Sequence, residues 1–416
     1  MNFSDNSFAS VASVVEIRAH FPALKRRHND FPAAYFDGPG GTQVPLQVTE
    51  TITDYLLHHN ANAHWSFPTS NETDEIVAHA REVAADFLHA APHEIVFGAN
   101  MTTLTFHLAR TLGRTWQSGD EIIVTELDHH ANVDTWRSLE KDRGIVIRLL
   151  PMDIESGQLE LSELPALFNH KTRLLAIGAA SNALGTVNDV QHIVQVARER
   201  NVLTFVDAVH FAPHALVDVQ EIGCDFLACS AYKFYGPHVG LLYGRRELLQ
   251  AMDFPKLHPA PSAAPDRAET GTGNFEGMAG TAAAIEFLAS LTSVPGTRRE
   301  KLQIVFDELH RRGDELLRQM WHGLAAVPGV RVYGPTPDLP HTPTLSFTVK
   351  GHASTKVAQA LAARGVFVSH GNFYAATVAE RLQTGSEGFV RAGCACYTTA
   401  DEVERLVQAV RDLCCD

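Results

Sequence analysis

Between Asp120 and Tyr243 the chain repeats one pattern, a short and nearly unbroken apolar run followed by a stretch with helical character. The runs are Glu121–Thr125, Ile145–Leu149, Arg173–Ile177, Val202–Val206, Phe226–Cys229 and Val239–Tyr243, and Asp189 to Arg200 is the clearest of the intervening helices. Nearly continuous apolar strands bounded by amphipathic helices predict a largely parallel sheet covered on both faces, an α/β architecture. In such sheets functional residues collect in the loops just past the strand C-termini. Four segments satisfy that rule: TELDHHAN, AASNALGT, VDAVHF and CSAYKFYGP.

The remaining chain sets the domain plan. A length of 416 residues suffices for one large and one smaller domain. Residues 1–34 read as an N-terminal appendage contributing to the small-domain side, with a short amphipathic helix around Val14 to Leu24. The loop YFDGPGGTQVP, Tyr35 to Pro45, demands a folded-back conformation. Helices are expected near Gln47 to His58 and over Asn71 to Ala90, and a polar, aromatic loop with His64 and Trp65 lies between them. A strand at Glu94–Phe97 runs through GANMTT into another helix. The large α/β domain is expected over 35–270, a helical continuation over 271–328, and a small α+β domain over 329–416. That last unit should contain strands Val330–Tyr333, Thr344–Val349, Val366–Val368 and Val390–Cys396, with helices Thr355–Ala363 and Asp401–Leu413.

Composition excludes several classes. A formal charge of −14 argues against a broad nucleic-acid surface. No apolar run reaches membrane-spanning length, and MNFSDNSFAS lacks the form of a signal peptide, so a cytoplasmic setting with no membrane partner is expected. Six cysteines in so long a chain make no disulfide framework, and 22 scattered histidines form no metal-binding pattern.

Lys233 sits at the end of a buried strand beside a Gly-Pro turn, displaced from the solvated face that lysine usually occupies. Such an amine can attack a carbonyl, including the aldehyde of pyridoxal phosphate; it can also snorkel out or pair with a carboxylate. Asp207 closes another buried strand, where a carboxylate is costly without a partner such as a pyridinium N–H. His129 and His130 follow a third strand end, where an imidazole can stack on a flat ring or carry protons. Gly98, Met101, Thr102 and Thr103 form a strand–helix junction suited to a phosphate or to an ordinary cap, and Ser230 and Tyr232 lie beside the lysine. Singly, each residue has a structural use. Together, a strand-end Asp, Lys and His point to one site.

The segments DHHAN (128–132), ASNALGT (180–186), FVDAVH (205–210), CSAYKFYGP (229–237) and ETGTGN (269–274) resemble those of the class V aminotransferase superfamily, most closely its cysteine desulfurase-like branch. The resemblance spans roughly residues 35 to 413. It implies pyridoxal 5'-phosphate as cofactor, fold type I with a large and a small domain, and a homodimer with sites near the interface. It also implies Lys233 as the Schiff-base lysine, Asp207 as partner of the pyridine nitrogen and His129 as the ring-stacking histidine. His210 stands where a glutamine usually addresses the phenolic oxygen, and Asn182 lies in the substrate and cofactor loop. Met101, Thr102, Ser230 and Tyr232 fall at phosphate-contact positions, and Thr272 at the position reaching the neighbouring subunit's phosphate. Arg391 matches the arginine that grips the substrate carboxylate, with His370 and Asn372 in a loop expected to overhang the site.

The departures are equally specific. The loop that carries the persulfide-forming cysteine in desulfurases reads VFVSHGNFYAA, with Tyr374 at the cysteine's place and Ser369 where a second arginine often stands. Cys394 and Cys396, close in sequence to Arg391, sit on a predicted strand and read as structural. The expected function is therefore α-carbon chemistry on a small amino acid, aminotransferase-like or desulfurase-like. The alternatives are a cysteine desulfurase or lyase using an external thiol or protein sulfur acceptor, an epimerase, or a catalytically silent scaffold.

Overall fold

The computed structural model describes residues 10–415. Its centre is a seven-stranded sheet in the order Ile95–Gly98, Gly240–Gly244, Phe226–Ser230, Leu203–Asp207, Thr172–Gly178, Glu121–Thr125, Val146–Leu150. Gly240–Gly244 runs antiparallel to both its neighbours, while the other pairings are parallel. The expected largely parallel sheet is thus a mixed one with a single reversed strand. The reversal follows from the short connection: the chain leaves Ser230, passes Lys233 and returns at Gly240, too few residues for a parallel crossover.

The inner strands are mostly apolar because both faces are covered, whereas the edge strand Val146–Leu150 carries Arg148 and is only partly buried. Ile123, Leu175, Ile177, Val206, Leu227 and Leu241 point into one core, with Val83, Phe87, Ile193 and Ile285 from the covering helices. Their alternates Ile122, Val124, Leu174, Phe205, Phe226 and Leu242 point into the other, with Leu104, Leu108 and Trp136. Alternation along each strand feeds two cores at once.

A second, wholly antiparallel sheet orders Val330–Tyr333, Thr344–Val349, Phe389–Gly393 and Ser369–Gly371. It packs on Leu317, Met320, Leu361, Leu406 and Val410 from the helices Arg298–Ala325, Ser354–Ala363 and Ala400–Cys415. The predicted strand Val366–Val368 is shorter, Val366–Phe367, and a second strand that was not predicted follows it with a different partner. Val366–Phe367 pairs in parallel with Ala34–Tyr35, and Ser369–Gly371 pairs with Phe389–Gly393. The predicted strand to Cys396 ends at Gly393. Near the start of the chain, helix Val14–Ala19 carries a Ser13–Glu16 capping box and yields to a 3₁₀ turn at Pro22, where the missing N–H ends the α-helical ladder. Among the described residues no helix is long and apolar enough to cross a membrane.

Candidate active site

The carboxyl ends of the central strands open into a cavity of about 900 Å³. The strand Phe226–Ser230 turns sharply through Ala231–Lys233 and delivers the lysine into it, 9% exposed. Lys233 Nζ donates to the Pro39 carbonyl and lies 5.0 Å from the Tyr232 ring centre. Burial, with Arg391 second, pulls this amine from 10.5 down to about 7. Asp207 ends the next strand, and its Oδ1 accepts from the Val209 N–H at 2.9 Å. Burial lifts its carboxyl to about 6.

His129 caps a short 3₁₀ turn: its Nδ1 accepts from the Ala131 N–H at 2.9 Å, which leaves the proton to Nε2. Burial, with Lys233 second, lowers it to about 4, so the ring is neutral at physiological pH. Its neighbour Asp128 is 3% exposed and ties two strand ends together, accepting from Gly178 N–H at 2.9 Å and Asn132 Nδ2 at 2.7 Å. Burial raises Asp128 to about 7. Sequence reasoning did not single out Asp128; a carboxylate at a strand end beside His129 was the available signal.

Asn100 caps the helix Met101–Gly113 by accepting from Thr103 N–H at 2.9 Å, and residues Ala99 to Thr103 line the cavity with that helix's N-terminus. Ser230 Oγ accepts from Met101 N–H at 3.0 Å, so serine and helix end are joined. Gly240 permits this approach, because a Cβ there would stand 2.4 Å from the Asn100 carbonyl carbon. Tyr232 stacks on His238 at 4.9 Å. His210, 3% exposed, shares a hydrogen bond with Thr342 Oγ1 through Nε2 at 3.0 Å, and burial holds it well below its ordinary value.

Arg391 reaches the cavity from the small sheet. It is 3% exposed, donates through Nη1 to the Asn182 carbonyl at 2.9 Å, and has no carboxylate within 4.0 Å among the described residues. Its Nη2 lies 3.5 Å from Ser369 Oγ, and the Phe373 ring centre is 4.1 Å from its guanidinium carbon. Burial lowers it to about 9. The loop Asp37–Gly41 closes over the same space, and Asp37 Oδ1 is buried without a partner.

Lys233, Asp207, His129, Asn182, His210, Met101, Thr102, Ser230, Tyr232 and Arg391 all line this one cavity. Three expected residues do not. His370 and Asn372 are exposed and turned away: His370 Nδ1 meets Thr355 Oγ1 at 3.3 Å, and Asn372 Oδ1 accepts from the Tyr374 N–H at 3.1 Å. Phe373 and Tyr374 line the wall from that loop instead. Thr272 lies exposed in a separate groove of about 1580 Å³ with Trp65, Arg81 and Glu269. No cysteine lines the cavity; Cys394 and Cys396 border a different, small hollow behind Tyr235.

The residues fit pyridoxal phosphate. Asn182 Oδ1 and His210 Nδ1 are buried polar atoms without protein partners on the cavity wall, and such atoms mark a polar ligand's place. A helix N-terminus with Ser230 beside it suits the phosphate, and Asp207 and Lys233 supply the acid and amine.

The model of the family described as aminotransferase class-V matches residues 34–406. The chain is 32% identical over 414 residues to a cysteine desulfurase of Pectobacterium carotovorum, covering 96% of this chain and 97% of the relative. It is 32% identical over 417 residues to the aminotransferase-like protein FGM3 of Gibberella zeae, covering 97% and 98% respectively. The solved apo structure of a cysteine desulfurase from Thermococcus onnurineus NA1 has a TM-score of 0.84 at 27% identity, covering 94% of this chain and 98% of that one.

Proposed function

Since the chain belongs to the class-V aminotransferase family, in its cysteine desulfurase-like branch with fold type I, we propose that it is a pyridoxal-phosphate-dependent enzyme acting at the α-carbon of a small amino acid. One observation carries this reading: a buried lysine, aspartate and arginine converge on a single cavity, and none of the three is in an ion pair within 4.0 Å among the described residues.

Pyridoxal phosphate bound there supplies an aldehyde for amine condensation and a ring that takes up the α-carbon's electron pair. The protein's part follows from its own groups. With its amine lowered to about 7, Lys233 is largely unprotonated just above neutrality, able to act as nucleophile and to remove or return the α-proton. Asp207, its carboxyl at about 6, would supply a negative charge to the cofactor's ring nitrogen, and the neutral ring of His129 would offer a flat face to the cofactor. Arg391, in no direct ion pair with a protein carboxylate although Asp37 is near enough to act on its charge, would anchor the substrate carboxylate through its fork. Met101, Thr102, Ser230 and Tyr232 hold the phosphate, and His210 offers its free Nδ1 to the cofactor's phenolic oxygen. Thr272, exposed away from its own chain's cavity, serves the site of a second subunit in a homodimer.

The missing thiol bears on the outcome. Because no cysteine lines the cavity, the chain supplies no thiol to take sulfur from a cysteine substrate, and desulfuration here would need an external thiol or protein acceptor. The test is a spectral screen of the purified protein with pyridoxal phosphate and individual amino acids, with Lys233→Ala as control and with keto acid, sulfide and inverted amino acid measured. A visible band that responds to one amino acid and vanishes in Lys233→Ala supports the enzyme. A wild type that never forms a lysine-linked cofactor refutes it and leaves a silent scaffold.

A further inference from the structure

Two consecutive aromatic residues at the cavity wall adopt a backbone that aromatic residues rarely take. Phe373 and Tyr374 have φ of 57° and 58°, in the left-handed region. Such conformations persist only where the surroundings over-determine them, and they cluster at functional sites. The surroundings here are the site itself. Asn182 Nδ2 donates to the Phe373 carbonyl at 2.9 Å, and the His130 N–H donates to the Tyr374 carbonyl at 2.7 Å. Asn372 closes the turn by accepting from Tyr374 N–H through its side chain and from Ala375 N–H through its carbonyl.

The side chains held in this way stand beside two site residues, Phe373 half-buried and Tyr374 73% exposed. The Phe373 ring lies against the Arg391 guanidinium at 4.1 Å, and the Tyr374 ring stands 5.5 Å from that of His129. A guanidinium stacked on a ring keeps its edge for hydrogen bonds, so Phe373 orients the fork without consuming it. Charge on the remaining wall is sparse. Among the described residues Arg391 is its one permanent cation; burial lowers the Lys233 amine to about 7, His129 is neutral, and His130 is engaged by Asp134 at 2.8 Å. Asp134 and Asp207 add negative charge. Nothing there welcomes a second carboxylate, and Ser369 beside Arg391 supplies none of the charge that an arginine would.

We propose that Phe373 and Tyr374 form a fixed aromatic wall that sets side-chain specificity, selecting a neutral amino acid with an apolar or flat side chain and rejecting dicarboxylic ones. The proposal rests on the α-carbon chemistry argued above, and deepens it by naming the substrate class.

The test uses the holoenzyme with phenylalanine, leucine, alanine, aspartate and glutamate, read both as equilibrium affinity from the cofactor's spectral change and as product formation. Wild type is expected to favour phenylalanine or leucine over both acidic amino acids by at least about tenfold in kcat/KM, with affinities in the same order. Phe373→Ala is expected to lose about tenfold of the preference for phenylalanine over alanine. Phe373→Leu, which keeps apolar bulk should the alanine variant not fold, is expected to retain rejection of the acids but lose preference for the aromatic substrate. Aspartate or glutamate as the best wild-type substrate overturns the proposal, as does a Phe373→Leu ranking identical to wild type. A wild type without any lysine-bound cofactor signal overturns the parent reading as well, whereas an intact signal with unmoved selectivity overturns the wall alone.

Discussion

Lys233→Met removes the buried amine and keeps a flexible side chain of similar length, which makes the cost of the amine measurable as stability. In the folded chain the lysine is pulled from 10.5 to about 7, chiefly by burial. At roughly 1.4 kcal/mol per pH unit, holding the charged amine in the site costs about 5 kcal/mol. Methionine leaves the Pro39 carbonyl without its donor, which costs about 1–3 kcal/mol. The variant should therefore be more stable than wild type by roughly 2–4 kcal/mol at neutral pH, in the cofactor-free state. The sign with pH follows from proton counts. Between about 7 and 10.5 the unfolded lysine binds a proton that the folded one lacks, so wild-type stability rises with pH across that window. The advantage of methionine should shrink by roughly 1.4 kcal/mol per pH unit and be gone by about pH 9–10. Urea melts of both proteins at several pH values, with unchanged slope, measure this directly. A variant less stable than wild type at pH 7, or a gain that does not decay with pH, refutes the reasoning.

Two further substitutions test other parts of the site. Arg391→Lys replaces the planar fork with a point charge and should raise KM by roughly 10- to 100-fold while altering kcat much less, since hydrogen bonds to charged groups contribute about 1.5–3 kcal/mol; steady-state kinetics on the preferred substrate decides, and an unchanged KM removes Arg391 from the carboxylate role. Gly240→Ala would put a Cβ 2.4 Å from the Asn100 carbonyl carbon, so the N-terminus of the helix Met101–Gly113 must shift. We expect a loss of about 1–3 kcal/mol in stability together with weaker pyridoxal phosphate binding; thermal melts and cofactor titration would show it, and wild-type affinity would mean the helix end does not carry the phosphate.

The central sheet was legible because its strands are buried on both faces, and the same property gave away Asp207 and Lys233 as polar residues ending apolar runs. Strand edges moved by a residue or so, as at Val146–Leu150, where nothing in the local pattern marks the end. The loop after Val366 was less legible. Periodicity cannot foresee that Val366–Phe367 joins the distant Ala34–Tyr35 while Ser369–Gly371 joins the small sheet. From that split follows the turn that presents Phe373 and Tyr374 and turns His370 and Asn372 outward. Asp128 escaped notice because its value depends on the strand end at Gly178, 50 residues away, meeting the local 3₁₀ turn that carries Asn132.

The parallel pairing of Ala34–Tyr35 with Val366–Phe367 also orders events during synthesis. Every strand of the central sheet is made once Gly244 has left the ribosome, yet the early segment must wait for a partner more than 300 residues behind it. Pro39, whose contact with Lys233 spans 194 residues, is anchored on its C-terminal side by Thr42 bonded to Tyr232 and Tyr235, and gains its anchor on the N-terminal side only when that partner arrives. Arg391 arrives later still. A nascent chain therefore carries a formed lysine turn with an open roof and an unpaired edge, the kind of exposure that invites wrong partners. A molecule whose cavity is complete therefore already has Ala34–Tyr35 paired with Val366–Phe367 and Arg391 delivered by the small sheet.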